Sequence, residues 1–401
     1  MTTLTTLLKE LFPFQGYKLS LLGTKNRIVI GMESLHKGGI CPKCGKRCLC
    51  IEEEYERLVR DLDMCPTKCF LHFWQKKIRC RCGYRGIERL DFLAKYDRVT
   101  TRLADAVASD CEEATLKEVA RRHDLNWKSV KEIDREHIKL LLPKIIDLKI
   151  RRIALDEIAI MKGHKYFTVI RDYDTGVAIK IIFGRGYQET YDALLSLGKD
   201  TLSQIKFASL DMWDPYIKAI SELCPDAKLV FDKFHVVKKV NAAVDKVRKT
   251  EFAKASDEER INMKHKRWII LKREINLNTE GREELDALLK NNDKLYKAYL
   301  LKEQILSIFD DKVSDFETIQ LRIKCWFENI FSNGLEEFNE VMNTMQHYLE
   351  GILNYFRYGM TNAIAEGFNT KINVIKRRAF GFKDLEYFML KIYQSSLRRL
   401  A

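Results

Sequence analysis

Three acids and a block of thiols are the residues of this chain best suited to chemistry. Asp156 sits inside an otherwise apolar run, Ile153-Ala-Leu-Asp156-Glu157-Ile158. A charge there is expensive to bury unless it is paired or bound to a metal. Asp211 directly follows a second strand-like run, Ala208-Ser-Leu210, and the C-terminal ends of strands are where α/β sheets commonly place sites. Glu366 lies far down the chain, in Glu366-Gly-Phe-Asn369-Thr-Lys371, on a helical pattern. Hard carboxylate oxygens of this kind suit Mg²⁺ or Mn²⁺. Two such ions about 3.5–4 Å apart can activate a nucleophilic oxygen and stabilise the leaving one at a phosphodiester. Taken singly, each acid also has a plainer reading: Asp211 as a helix N-cap, Asp156 in a buried salt bridge, Glu366 on the surface. Spacing alone does not show that they converge.

Of eleven cysteines, eight fall between Cys41 and Cys82. A dense cysteine block in a chain of cytoplasmic character points to metal rather than disulfides. Cys41-Pro-Lys-Cys44-Gly45 has the form of a zinc knuckle, two thiolates followed by a glycine that permits the tight turn. Its partner pair, Cys80-Arg-Cys82-Gly83, has one intervening residue instead of two. The expected ligands of one structural Zn²⁺ are Cys41, Cys44, Cys80 and Cys82. Cys65 and Cys69 form the rival second pair, and eight thiols leave room for a second ion. Residues 18–30 and 70–79 are strand-like and rich in basic or aromatic side chains, a candidate DNA-facing ribbon.

These residues need elements to position them. From Val99 to Ile138 the pattern is helical, with Val99, Leu103 and Val107 on one face. The stretch Leu116–Ile133 reads as a helix-turn-helix. Leu116, Val119 and Ala120 bury the first helix, Leu125 fills the turn, and Asn126 caps the second helix. Trp127, Lys128, Ser129 and Lys131 are then free to meet DNA; a plain helical hairpin is the alternative. From Ile150 onward the order is βββαβαβ, which suits a mixed sheet with helices on its faces. From about Asn241 to Asn354 only helical signals appear, with breaks expected at Ser256–Glu259 and Asn291–Asp293.

The chain has 401 residues and a formal net charge of +13. Such a balance favours a polyanionic partner, most often nucleic acid. No run of 18 apolar residues is present, which argues against a membrane-spanning helix. The N-terminal segment lacks the basic start of a signal peptide. A cytoplasmic protein with no membrane partner is expected.

Four blocks, in order, carry a family resemblance: Cys41-Pro-Lys-Cys44-Gly through Cys80-Arg-Cys82-Gly; the helix-turn-helix; Leu155-Asp-Glu157 through Leu210-Asp-Met-Trp-Asp-Pro-Tyr216 to Phe231-Asp232-Lys-Phe-His235; and Thr361-Asn-Ala-Ile-Ala-Glu366-Gly-Phe-Asn369-Thr-Lys371 through Lys376-Arg377-Arg378 to Gly381-Phe382. Together they resemble the ISL-three family of bacterial insertion-sequence transposases. The resemblance implies an α/β fold: a ribonuclease-H-like mixed sheet with an all-helical insertion, preceded by a zinc ribbon and a helix-turn-helix. The implied boundaries are a zinc ribbon at 1–95, a helix-turn-helix at 96–145, a catalytic core at 146–240 and 355–401, and an insertion at 241–354. Asp156, Asp211 and Glu366 match the family's acidic triad, with Asp156 bridging two metals. Asp232, His235 and Glu157 are implied as supporting residues. Lys371, Lys376, Arg377 and Arg378 are candidates to hold backbone phosphates. The implied activity is binding of terminal inverted repeats, cleavage at the element ends and joining of the 3′-OH to target DNA, by at least a dimer on double-stranded DNA at the nucleoid. The rivals are a non-catalytic DNA-binding regulator, and a nuclease that cuts without joining. In the family the second cysteine pair often has a longer spacing than Cys80 and Cys82 show.

Overall fold

The computed structural model describes residues 4–23, 26–64, 67–93, 98–142, 149–161, 165–361, 363–379 and 381–397. The side chains of 4–5, 161, 165 and 363–366 lie outside that description, as does Cys65. Two compact units result: Met1–Pro143 with Arg378–Leu390, and Lys144–Arg377 with Lys391–Ala401.

In the first unit, helix α1 (Leu4–Leu11) precedes strands β1 (Tyr17–Gly23), β2 (Arg27–Ser34), β3 (Gly39–Ile40), β4 (Arg47–Cys48), β5 (Ile51–Met64), β6 (Thr67–Arg79) and β7 (Arg85–Ile87). The main sheet runs β1-β2-β6-β5, with β7 on β6 and β2 parallel to β6. Its inward positions, among them Ile30, Leu71 and Phe73, form one apolar cluster with Phe92 from the segment after β7. The expected basic ribbon on β6 is largely neutralised. Lys76 and Lys77 face Glu54 and Glu53 across the sheet, Glu52 meets Arg79 and Arg85, and Glu56 meets His72. Opposite charges placed directly across two strands attract, so these cations are engaged before any DNA arrives.

Three helices follow: α2 (Thr101–Glu113), α3 (Leu116–His123) and α4 (Trp127–Leu141). Val99, Leu103 and Val107 are buried together with Val119, Val130 and Ile133. Thr115 caps α3 through the Glu118 amide. Asp124 then takes a left-handed turn, and Asn126 caps α4 through the Lys128 amide. Each cap satisfies an orphan amide at a helix start.

The second unit holds β8 (Arg152–Met161), β9 (Lys165–Asp172), β10 (Ala178–Phe183), α5 (Tyr187–Leu195), α6 (Lys199–Gln204), β11 (Phe207–Leu210), α7 (Asp214–Leu223), β12 (Lys228–Phe231) and α8 (Lys233–Lys254). The sheet order is β10-β9-β8-β11-β12. The first three strands are antiparallel, whereas β11 runs parallel to both β8 and β12. That is the mixed, ribonuclease-H-like arrangement. Helices α9 (Asp257–Met263), α10 (Arg267–Leu271), α11 (Thr279–Lys290), α12 (Asp293–Asp310), α13 (Phe316–Ser332), α14 (Asn339–His347) and α15 (Leu349–Tyr358) make the insertion. The breaks fall where caps demand them: Ser256 and Glu259 form a capping box before α9, and Asn292 caps α12. Trp326, Phe338 and Ile305 join the sheet residues Leu155 and Phe231 in one core. At Gly351 on α15 an added Cβ would lie 2.3 Å from two Phe231 ring carbons, so only glycine lets α15 sit this close to β12. Helices α16 (Ala363–Arg378) and α17 (Leu385–Leu397) complete the chain. Among the described residues, no helix is long and apolar enough to cross a membrane.

Candidate active site and metal centres

Asp156 and Asp211 come together because β8 and β11 are parallel neighbours in the sheet. Asp156 is on β8, and Asp211 ends β11. Side chains along a strand alternate between faces, so Asp156 and Glu157 take different surroundings. Asp156 Oδ2 accepts a hydrogen bond from Asn369 Nδ2 at 2.6 Å, and its Oδ1 accepts the Glu157 amide at 2.8 Å. The Arg171 guanidinium on β9 lies 3.8 Å from Asp156 Oδ2 and 4.9 Å from the Phe368 ring. Burial first, and the charge of Asp211 second, push the Asp156 carboxyl up to about 6 against the pull of Arg171 and Asn369. Burial and a neighbouring like charge are the two causes that raise a carboxyl in this way.

His235 on α8 approaches Asp211, its Nε2 2.6 Å from Oδ1. Burial alone would lower the pKa of this ring, but the hydrogen bond and charge of Asp211 outweigh it and hold the pKa raised. Asp232 caps α8 by accepting the Phe234 amide, and burial raises its carboxyl. Asp232 thus serves as an N-cap, while His235 reaches Asp211. Glu366 lies on α16, but its side chain is outside the described residues. Asn369, one turn further along α16, touches Asp156. Its Oδ1 is buried and has no hydrogen-bond partner among the described residues. Sequence reasoning quoted Asn369 in a motif without giving it a role. Its position three residues after Glu366, on the same helix face, is the signal that would have found it.

Glu157 faces elsewhere. Its carboxylate meets Tyr216 Oη at 3.2 Å and Arg185 Nη1 at 3.3 Å. No pattern in the sequence marked Arg171 or Arg185.

The thiols of Cys41, Cys44, Cys80 and Cys82 gather with all four sulfurs within 4.8 Å of one another. Cys41 and Cys82 Sγ are 3.6 Å apart, Cys44 and Cys80 Sγ 3.7 Å. A tetrahedral zinc with Zn–S bonds of about 2.3 Å needs sulfurs about 3.8 Å apart, so the donor set fits Zn²⁺. Gly45 and Gly83 both take positive φ behind their cysteine pairs, at +70° and +86°. The one-residue spacing of Cys80 and Cys82 is thus no obstacle. The rival Cys69 is fully buried among apolar side chains, and burial pushes its thiol up to about 12. It is a core residue, and its proposed mate Cys65 is outside the described residues.

The candidate DNA contacts divide. Trp127 and Lys128 stand exposed at the start of α4, with Ser129 half-buried beside them. Lys131 is not free as expected: Asp384 holds its ammonium at 2.6 Å and Arg135 at the same distance. Lys371 and Arg377 are exposed on α16. Lys376 donates to the Ala159 carbonyl and Arg378 to that of Glu112, so both are partly engaged.

Residues 153–392 match a transposase family model, 88–138 the helix-turn-helix domain of transposase family ISL3, and 37–82 the zinc finger of the transposases of IS204, IS1001, IS1096 and IS1165. The chain is similar to the transposase for insertion sequence element IS1001 of Bordetella parapertussis, 31% identical over 96% of this chain and 97% of that protein. It is also similar to the transposase for IS1557 of Mycobacterium tuberculosis, 24% identical over 86% of this chain and 82% of that protein.

Proposed function

The chain belongs to the ISL3 family of transposases, and from that premise we propose that it cuts DNA at the ends of its own element and joins the freed 3′-OH to target DNA. The observation that carries the reading is the approach of Asp156 and Asp211 on neighbouring parallel strands, Asp156 held by Asn369 and Asp211 met by His235, beside the helix that bears Glu366. Asp156, Asp211 and Glu366 would hold Mg²⁺ or Mn²⁺. Bound there, a pair of such ions supplies Lewis-acid activation of the attacking and leaving oxygens.

The chain's own residues prepare that site. Asn369 and the Glu157 amide fix the rotamer of Asp156. His235 fixes Asp211. Arg171 compensates part of the buried charge of Asp156. In this proposal residues 1–95 and 96–145 read the element ends, 146–240 and 355–401 carry the chemistry, and 241–354 is the insertion. Trp127, Lys128 and Ser129 approach the major groove, while Lys371 and Arg377 hold phosphates. Phosphate contacts position the duplex and base contacts specify it. Both ends must be held at once, which calls for at least a dimer on DNA.

The test is a cleavage-and-joining assay in Mg²⁺ or Mn²⁺ on the DNA flanking the gene, with Asp156→Asn, Asp211→Asn and Glu366→Gln as controls. Cut 3′ ends and joined product, lost in all three variants, are expected. Specific binding of the ends with no cleavage under either metal would refute the enzymatic reading and leave a DNA-binding regulator.

A further inference from the structure

Arg185 occupies the short link between β10 and α5, in Gly184-Arg185-Gly186. Its guanidinium carbon lies 4.8 Å from the centre of the Tyr166 ring and 4.7 Å from that of Trp213. The Trp213 indole N–H donates to the Arg185 carbonyl at 3.0 Å. Trp213 itself is tied to the catalytic edge, since its amide donates to the Asp211 carbonyl at 2.7 Å. Both rings therefore lie against the guanidinium, and the indole hydrogen bond anchors the backbone of the same residue.

A guanidinium carries five N–H donors. Among the described residues, Glu157 Oε2 is the single acceptor Arg185 meets, at 3.3 Å, and the side chain is 39% exposed. Arg102 in the same molecule shows what a structural arginine looks like: it donates to both oxygens of the buried Asp61 and to the Leu11 carbonyl. Arg185 is immobilised nearly as well but left largely unsaturated. Its planar fork matches a phosphate bidentately, and stacking removes in advance the rotamer freedom that binding would otherwise cost.

We propose that Arg185 is a preformed binding site for a backbone phosphodiester of the DNA substrate, adjacent to Asp211. The inference rests on the transposase reading above. Glu157 serves as the resting partner that keeps the fork oriented until a phosphate takes the remaining donors.

The experiment measures binding of the full-length protein to a labelled duplex spanning an element end, by fluorescence anisotropy in Ca²⁺ over a series of salt concentrations. Arg185→Ala is expected to weaken binding about ten- to a hundredfold, the worth of a charge-assisted hydrogen bond. It should also lower the slope of log K against log salt by about one. Arg185→Lys should keep the wild-type slope, with an intermediate loss for the missing fork. Glu157→Gln should keep the slope as well, because the cation remains. If Arg185→Ala leaves the slope unchanged, or if Glu157→Gln lowers it to the same extent, Arg185 is only a brace and the proposal is overturned. Melting curves confirm that each variant is folded. Cleavage by Asp211→Asn at the wild-type level would instead overturn the catalytic reading, and that outcome is independent of the slope.

Discussion

Removing the metal from the four-thiol cluster should unfold one corner of the first unit and leave the rest standing. The apolar support of that corner is small: Cys41, Cys48 and Ile78 are its buried members, with Cys80 and Tyr84 partly buried against them. Burying Ile78 contributes about 1.5–3 kcal/mol. Ordering each residue of the two knuckles costs about 1–2 kcal/mol. A structural zinc on thiolates supplies about 10–16 kcal/mol, several times what Ile78 gives, so local order depends on the ion. The neighbouring sheet does not, because Ile30, Leu71 and Phe73 close a separate cluster. Hydrogen exchange read by mass spectrometry, before and after chelation, resolves the two. The amides of Cys41, Gly45 and Gly83, which donate to Lys46, Cys41 and Cys80, should lose protection, and those of β2 and β6 should keep it. Cys80→Ser should reproduce the chelated pattern. Unchanged protection across residues 39–48 after zinc is gone, or purified protein that never contained zinc, would refute the argument.

Other outcomes follow from the same structure. Asn369→Ala removes the side-chain donor to Asp156 and should weaken Mn²⁺ binding about 10- to 100-fold, measured by electron paramagnetic resonance titration; an unchanged Kd would show that the amide does not position the acid. Burial raises the Asp384 carboxyl, but the Lys131 hydrogen bond, the Tyr387 amide and the Arg135 charge outweigh it and hold its pKa below the ordinary value. Its stabilisation is therefore present above the unfolded pKa of about 4 and lost as pH falls through the folded one. Asp384→Asn should melt earlier than wild type at neutral pH by about 1–2 kcal/mol, and the gap should narrow toward about pH 2; a constant gap contradicts the assignment. Gly351→Ala drives a methyl into the Phe231 ring and should cost about 1–3 kcal/mol in chemical denaturation, whereas no loss would mean that α15 shifts freely on β12.

Much of the molecule was readable from local signals. The βββαβαβ order followed from alternation and turn residues except for the extra short helix α6, and the insertion from helical periodicity broken by Ser256 and Asn292. The Asn126 cap and the zinc knuckle depend on neighbours a few residues away, so their sequence carries them. Glycines behind each cysteine pair announced the turns that converge the thiols. What the sequence did not carry was long-range pairing. The cations of β6 look available for DNA until β5 lies beside them and sets Glu52, Glu53, Glu54 and Glu56 in register. Lys131 reads as a groove contact until Asp384, far along the chain, closes on it. Cys69 passes as a ligand until the sheet buries it. Arg171 and Arg185 are polar residues of ordinary type, and nothing in their spacing distinguishes them; Asn369 has only its place one turn after Glu366 to mark it. Composition and periodicity record what a residue does within its own helix or strand. Which charge is cancelled, and which is held ready, depends on partners brought across tens or hundreds of residues, and only the folded arrangement sets those distances.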